Sequence, residues 1–513
     1  MQIKPVIHLL NPISALILSI AFAMPAVSFA QGKGRVTGKS PRKPNVILIV
    51  ADDLGYGDLG VYGQKIIRTP NLDKLSAEGI RFTQYYSGSP VCAPSRCVML
   101  TGNTTGHSYI RDNEEVGEWD SYQGQMPLKK DTYTLGTLFQ NAGYKTACIG
   151  KWGLGGPGST GIPENEGFDY FYGYLCQRQA HNHYPSYLFE NHEKVVLDNP
   201  PYPAHQKLTG NPALTASYAG FSGNAYAPEM MTVAAKRYIT AHKDSSFFLY
   251  LTYALPHLAL QVPDIYLDIY KGKIPDKPYT GEFGYLPQYY PNACYAAMVT
   301  ALDDYVGQVM ECVKAAGLDS STVILFTSDN GATFNLGGYD PAVFNSNGPF
   351  KAGKATLYEG GIRVPMIVRW PGKVAGGRVA DLVCAAWDLM PTFASIAGQK
   401  TPVDADGISL LPEISGVKGQ KQHPWLYWEF MGNSGWQAVR IGNWKIVRKH
   451  MVKDPGRRLE IYDLSTDTGE TKNVVAQHPD ILLKAKEIFW QRRPSENTKW
   501  NFTPVPGRKR TKN

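Results

Sequence analysis

The stretch Asn45–Val50 reads Asn-Val-Ile-Leu-Ile-Val and is followed, after Ala51, by Asp52-Asp53. A strand with one face in water alternates apolar and polar residues, whereas an unbroken apolar run needs cover on both faces, as inside a parallel sheet. Further short apolar runs lie at Tyr144–Ile149, Phe247–Thr252 and Val323–Thr327. Helical stretches alternate with them. Thr69 and Pro70 have the form of an N-cap and first helical residue, with Leu72 and Leu75 inward and Gly79 as the stop. Between Cys294 and Ala316, Met298, Leu302, Val306, Val309 and Val313 share one helical face, ended by Gly317. This alternation predicts an α/β fold, a large, mostly parallel mixed sheet flanked by helices, which binds ligands beyond the carboxyl ends of its strands.

Past residue 420 the texture changes. Trp425–Phe430, Gln437–Ile441, Trp444–Arg448 and Leu459–Tyr462 are separated by Gly and Asn turns and followed by a helical stretch at Pro479–Arg492. They predict a small antiparallel sheet with a terminal helix. The chain divides into a segment 1–30, a flexible lead-in 31–43, a catalytic domain 44–420 and a C-terminal subdomain 421–513. Lys4, the apolar run Ile13–Met24 and Ser28-Phe29-Ala30 give the first segment the form of a cleaved signal peptide. The run falls short of the roughly 18 apolar residues of a membrane span, so the expectation is an exported protein, periplasmic or secreted, without a stable membrane anchor.

The net charge of +8 suits an anionic substrate, but the basic residues are scattered and the one dense cluster is Arg508-Lys509-Arg510. A nucleic-acid partner is not expected. The seven cysteines include no Cys-x-x-Cys pair, which gives no support to a zinc ribbon, and apart from Cys92 they read as buried free thiols. Asp52-Asp53 and Asp329-Asn330 each follow a predicted strand. Either pair alone could cap a loop; together, at strand ends of one sheet, they can converge to supply the oxygen ligands that a hard divalent cation prefers.

Cys92-Ala93-Pro94-Ser95-Arg96 followed by Leu100-Thr101-Gly102 resembles the maturation signal of type I sulfatases, in which the cysteine is oxidised to formylglycine. The hydrate of that aldehyde offers one hydroxyl to attack sulfur and another to expel the sulfate. The resemblance runs from Pro44 to Asn473. It takes in Asp52-Asp53-Leu54-Gly55, Gly150-Lys151-Trp152, Pro256-His257, Ser328-Asp329-Asn330-Gly331, and Gly353-Lys354 with Tyr358-Glu359-Gly360-Gly361-Ile362-Arg363-Val364-Pro365. The chain looks like a member of the sulfatase branch of the alkaline phosphatase superfamily. The resemblance implies that Asp52, Asp53, Asp329 and Asn330 bind one calcium ion that also touches residue 92, and that a formylglycine-generating enzyme is a maturation partner. It implies hydrolysis of a sulfate monoester. Arg96, Lys151 and Lys354 are candidates to offset charge on the sulfate, with Arg96 one turn beyond Cys92 in a helix expected to start at Pro94. His257 is the candidate general acid.

Sulfatases commonly show Gly-Lys-Trp-His-Leu-Gly, and this chain has Gly153 where that histidine helps deprotonate the hydrate. The arginine usual after Leu-Thr-Gly is Asn103. Arg178, His181 and His183, on one loop, and His107 are candidates for substrate contact, the histidines also for the missing base. Tyr170, Phe171, Tyr172, Tyr174, Tyr184 and Tyr187 are expected to crowd one loop, and Tyr279, Tyr285, Tyr289 and Tyr290 another, as platforms for a sulfated carbohydrate. The rival readings are a phosphodiesterase or phosphonate hydrolase of the same superfamily, and a silent relative that binds sulfated sugar without cleaving it.

Overall fold

The computed structural model describes residues 42–116, 125–452 and 459–502, and the described residues from Lys43 onward form one compact unit. The segment read as a signal peptide and the basic cluster at 508–510 lie outside the described residues. A ten-stranded sheet runs in the order Arg378–Ala380, Ile80–Phe82, Met366–Arg369, Thr322–Ser328, Asn45–Ala51, Phe247–Thr252, Lys145–Lys151, Tyr170–Tyr174, Tyr187–Glu190, Glu193–Val196. The five strands from Thr322–Ser328 to Tyr170–Tyr174 are mutually parallel, and antiparallel pairings flank them. The predicted fold class is therefore the one observed.

The apolar run of the first strand is covered on both faces, as its composition demands. Val46, Leu48 and Val50 enter one core with Val98, Leu100 and Phe248, while Ile47, Ile49 and Ala51 enter the other with Met298, Leu302 and Val306. The second core rests on the helix Pro291–Ala315, which begins before the predicted Cys294. On the opposite side the helix Cys92–Thr101 is buried along its whole length.

Near the C-terminus, Leu426–Phe430, Trp436–Ile441, Trp444–Lys449 and Glu460–Asp463 form an antiparallel meander. The helix Pro479–Phe489 packs Ile481, Ala485 and Ile488 against one face through Tyr427, Val439 and Ile446. The other face joins the main core through Trp428, Ala438 and Val447. A buried ionic knot pins it there. Lys445 reaches Glu359 at 2.8 Å and Glu470 at 3.6 Å, all three excluded from solvent.

The tyrosine-rich segment departs from expectation. Tyr170–Tyr174 is a sheet strand, and Tyr174 and Tyr184 are core residues, because alternating aromatics pack well on a pleated surface. Tyr279 is also buried. The cysteines are free thiols, all buried except the partly exposed Cys312.

Burial, with Glu359 adding to it and Lys445 opposing, pushes Glu470 from its ordinary 4.5 up to about 7. A carboxyl that binds its proton more tightly folded than unfolded contributes stability that is complete below about 4.5 and lost as pH rises through 7. Glu470→Gln removes that dependence while keeping an acceptor for the Glu359 amide. Urea midpoints at pH 5 and 8 should therefore differ less in the variant than in the wild type. An unchanged difference would contradict the burial of an ionisable group there.

Candidate active site

The central strands end level with one another. Ala51 pairs with Ser328 and Val50 with Thr252, and Thr252 also pairs with Gly150. The residues immediately beyond, Asp52 and Asp329, and Lys151 at its strand's last position, must therefore converge. Asp53 takes a left-handed backbone (φ 63°), which aspartate tolerates better than most residues. Its carboxylate consequently approaches the same point as that of Asp52.

The helix carrying Cys92 starts at Cys92 itself and not at Pro94. Pro94 falls at the third helical position, where a missing N–H costs nothing because no intrahelical acceptor exists for it. Cys92 thus sits on the first turn, at the positive end of the helix dipole. Ser95 donates through Oγ to the Asp329 carbonyl at 2.5 Å, and Asn113 Oδ1 accepts from the Ala93 amide at 2.9 Å.

Around Cys92 each carboxylate meets a cation. Lys151 Nζ lies 2.5 Å from Asp52 Oδ2, and Lys354 Nζ lies 2.8 Å from Asp53 Oδ2. Arg96 grips Asp329 Oδ2 through Nε (3.0 Å) and Nη2 (2.8 Å), and Nη1 donates to the Lys151 carbonyl and to Thr252. Arg96 thus braces Asp329 and the strand ends. Cys92 Sγ is 3.3 Å from Asp52 Oδ1 and 3.6 Å from Lys354 Nζ. Burial, reinforced by Asp52, pushes its thiol far up, so it stays protonated at neutral pH.

The other groups respond to the same field. Although burial opposes ionisation, Lys151 and then His257 and Arg96 hold Asp52 well below the carboxylate range. Asp329, raised by burial and by Asp52 to about 7, is the carboxyl with least compensation. Burial and then Lys354 push His257 down to about 4, so its imidazole is neutral. His257 Nδ1 donates to the Leu258 carbonyl at 2.5 Å, leaving Nε2 3.5 Å from Asp53 Oδ2.

The oxygens of Asp52, Asp53, Asp329 and Asn330 are of the kind a hard cation prefers. Ligand atoms of Asp52, Asp53, Cys92 and His257 lie within 4.8 Å of one another. Asp329 Oδ1 accepts from the Asp53 amide at 3.2 Å and Asn330 Nδ2 donates to Asp53 Oδ1 at 2.7 Å. Asn330 Oδ1 is buried with no hydrogen-bond partner among the described residues, as suits an oxygen reserved for a metal.

Of the loop candidates, His181 stacks on His257, with centroids 4.6 Å apart and planes at 16°, and its Nδ1 lies 2.8 Å from His205 Nε2. His183 is fully buried and its Nε2 donates to the His257 carbonyl at 2.9 Å, so it holds that loop's backbone. Arg178 pairs with Glu115 at 3.1 Å. His107 pairs with Asp406 at 2.8 Å and reaches the Gln491 carbonyl, which engages it between the main domain and the terminal helix. Sequence reasoning missed Thr252, His205, Asn113 and Gln177, which share no motif with the residues they touch. Tyr285, foreseen only as a platform, lies against His257 and His181.

A mostly parallel α/β sheet thus delivers buried acids, lysines and a helix N-terminus to one point, a setting suited to an anionic ester. Comparison specifies it further. The Sulfatase family model matches residues 44–399, and that of the N-sulphoglucosamine sulphohydrolase C-terminal region matches 351–490. N-acetylgalactosamine-6-sulfatase of Rattus norvegicus is 31% identical, covering 90% of this chain and 88% of its own. N-acetylgalactosamine-6-O-sulfatase of Bacteroides thetaiotaomicron is 27% identical over 88% and 93%. The crystal structure of Ps i-CgsB in complex with k-i-k-neocarrahexaose superposes with TM-score 0.70 at 25% identity, covering 90% of this chain and 96% of that one. The chain belongs to the sulfatase family, as a type I sulfatase of the alkaline phosphatase superfamily, and is an enzyme that hydrolyses sulfuric esters.

Removing Arg96 takes away the buried cation that holds Asp329 Oδ2 and the Lys151 carbonyl. Arg96→Met should cost about 3–5 kcal/mol, the usual penalty for breaking a buried pair, read as a fall in the urea midpoint. A loss under about 1 kcal/mol, as for an exposed pair, would contradict the bracing role.

Proposed function

We propose that this sulfatase releases inorganic sulfate from a sulfate monoester on a carbohydrate, using formylglycine derived from Cys92 and one calcium ion. The observation that carries the reading is the place of Cys92, on the first turn of a buried helix with Asp52 Oδ1 at 3.3 Å and Lys354 Nζ at 3.6 Å. A cysteine nucleophile needs a lowered pKa, yet this thiol is pushed up while standing at a helix N-terminus between Asp52 and Lys354. Such surroundings suit a residue that is not a thiol when it works.

Asp52, Asp53, Asp329 and Asn330 are the proposed calcium ligands beside residue 92, and the ion would supply positive charge to a sulfate oxygen. Formylglycine would supply the attacking hydroxyl. Lys151 and Lys354, both held charged by their aspartates despite burial, offset charge on the sulfate as it builds toward the leaving oxygen. His257 delivers the proton to the leaving alcohol: an entering anion offsets the Lys354 charge that helps hold the imidazole neutral. His181, His205 and Tyr285 form an aromatic wall beside His257 on which a sugar ring can rest.

The carbohydrate class is supported by the names of the relatives, which act on N-acetylgalactosamine 6-sulfates, and by the neocarrahexaose bound to Ps i-CgsB. Export through the segment 1–30, to periplasm or medium, and maturation by a formylglycine-generating enzyme complete the reading. Among the described residues no helix is long and apolar enough to cross a membrane.

Sulfate release from 6-sulfated N-acetylgalactosamine and from sulfated galactan oligosaccharides, followed by ion chromatography, tests the substrate class; release from neither would contradict it. His257→Ala should lower kcat on a sugar sulfate by about 10²–10⁴-fold but spare nitrophenyl sulfate, whose leaving group needs no proton. Equal losses would exclude the acid role. Calcium at 100 times its Kd should stabilise the chelator-stripped protein by about 2.7 kcal/mol and Asn330→Ala should reduce that gain; melting indifferent to calcium would exclude the site.

A further inference from the structure

Gly153 leaves a gap in the motif Gly150-Lys151-Trp152-Gly153, and the structure fills that gap from another segment. A Cβ built on Gly153 would stand 2.5 Å from Gln177 Cγ and 2.9 Å from its Cδ. The two positions therefore compete for one volume, and the side chain that has it is Gln177. This residue is 6% exposed, and its Oε1 is buried without a hydrogen-bond partner among the described residues. Its Nε2 donates to Asn113 Oδ1 at 3.4 Å, and the same oxygen accepts the Ala93 amide at 2.9 Å. One polar chain thus runs from the residue after Cys92, through Asn113, to an amide lying over the second residue after Lys151.

A buried carbonyl oxygen left unpaired is costly, and native structures retain one where a partner arrives later. The arriving partner must be a donor. Sulfate oxygens are acceptors and cannot satisfy it, whereas a hydroxyl can. The Asn113 bridge ties the amide to the backbone N–H of Ala93, next to residue 92, and fixes which way Gln177 turns, since its Nε2 is committed to Asn113.

We propose that Gln177 is a positioning residue that takes the volume vacated at Gly153 and accepts, through Oε1, a hydrogen bond from a hydroxyl carried by residue 92 in its oxidised, hydrated form. This rests on the reading of Cys92 given above. A carboxamide takes up no proton at neutral pH, so Gln177 orients the hydroxyl and does not act as a base. Asn113 holds Gln177 in place. The assignment is an alternative to the expectation that His181 or His183 fills this gap: His181 Nδ1 lies against His205 and His183 Nε2 holds the His257 carbonyl.

The test uses matured, calcium-loaded enzyme and an aldehyde-reactive hydrazide. A hydrogen bond to the hydrate disfavours the free aldehyde, so Gln177→Leu, which keeps the side chain's volume, should label at residue 92 about 10-fold faster than wild type, the ratio one hydrogen bond commands. Its kcat should fall by a similar factor on both a sugar sulfate and nitrophenyl sulfate, with KM unchanged. Asn113→Ala, which removes the acceptor that Nε2 is committed to, should move toward Gln177→Leu. The calcium-dependent melting shift serves as the control for folding. Wild-type labelling and kcat in Gln177→Leu would overturn the proposal, as would a rise in KM confined to the sugar substrate, which marks a sugar contact. Absence of labelling in the wild type would overturn the reading of Cys92 together with this proposal, whereas a labelled wild type with an indifferent Gln177→Leu overturns this proposal alone.

Discussion

The structure turns on the mutual neutralisation of buried acids and bases at the level ends of its parallel strands. An isolated ion carried into a protein interior loses several kcal/mol of hydration, which attraction repays only in close, well-aligned pairs. Here Asp52 meets Lys151, Asp53 meets Lys354 and Asp329 meets Arg96, all at 2.5–2.8 Å. The register that aligns Ala51 with Ser328 is therefore as necessary to the site as the acids themselves. A slip by one residue would turn these side chains to opposite faces and leave each charge alone in the core.

The same balance suits the chemistry of a sulfate ester. With acids and bases already paired, a divalent cation would make the site net positive, and a monoanionic sulfate would find charge waiting without reorganisation. The raised Asp329 and the unpaired Asn330 Oδ1 mark where that balance has room for a cation. The C-terminal meander belongs to the same design. Its Lys445 meets Glu359, just beyond the loop that supplies Lys354, so the sheet past residue 420 fixes the segment on which the Asp53 partner depends.

Sequence made the fold readable because its signals are local. The apolar run Asn45–Val50, the Thr69-Pro70 start and the face from Met298 to Val313 each specify an element without reference to the rest of the chain. The site was readable where motifs carry it, in Asp52-Asp53, Cys92–Arg96, Lys151, His257, Asp329-Asn330 and Lys354. Partnerships between distant segments were not. Gln177 lies over Gly153, and Asn113 joins it to Ala93, through proximity that no periodicity encodes. His107 looked available for chemistry, but Asp406, almost three hundred residues later, engages it. The tyrosines of 170–174 were misplaced on a loop because aromatic clusters serve a sheet as well as a sugar platform.

The central claim is that residue 92 works as an aldehyde and not as a thiol. Mass spectrometry of the proteolytic peptide containing residue 92, from protein that releases sulfate, measures this directly. The account predicts a peptide that has lost the cysteine sulfur and gained a carbonyl oxygen, with the unconverted thiol form confined to inactive protein. An active preparation whose residue 92 remains an unmodified cysteine throughout would contradict it.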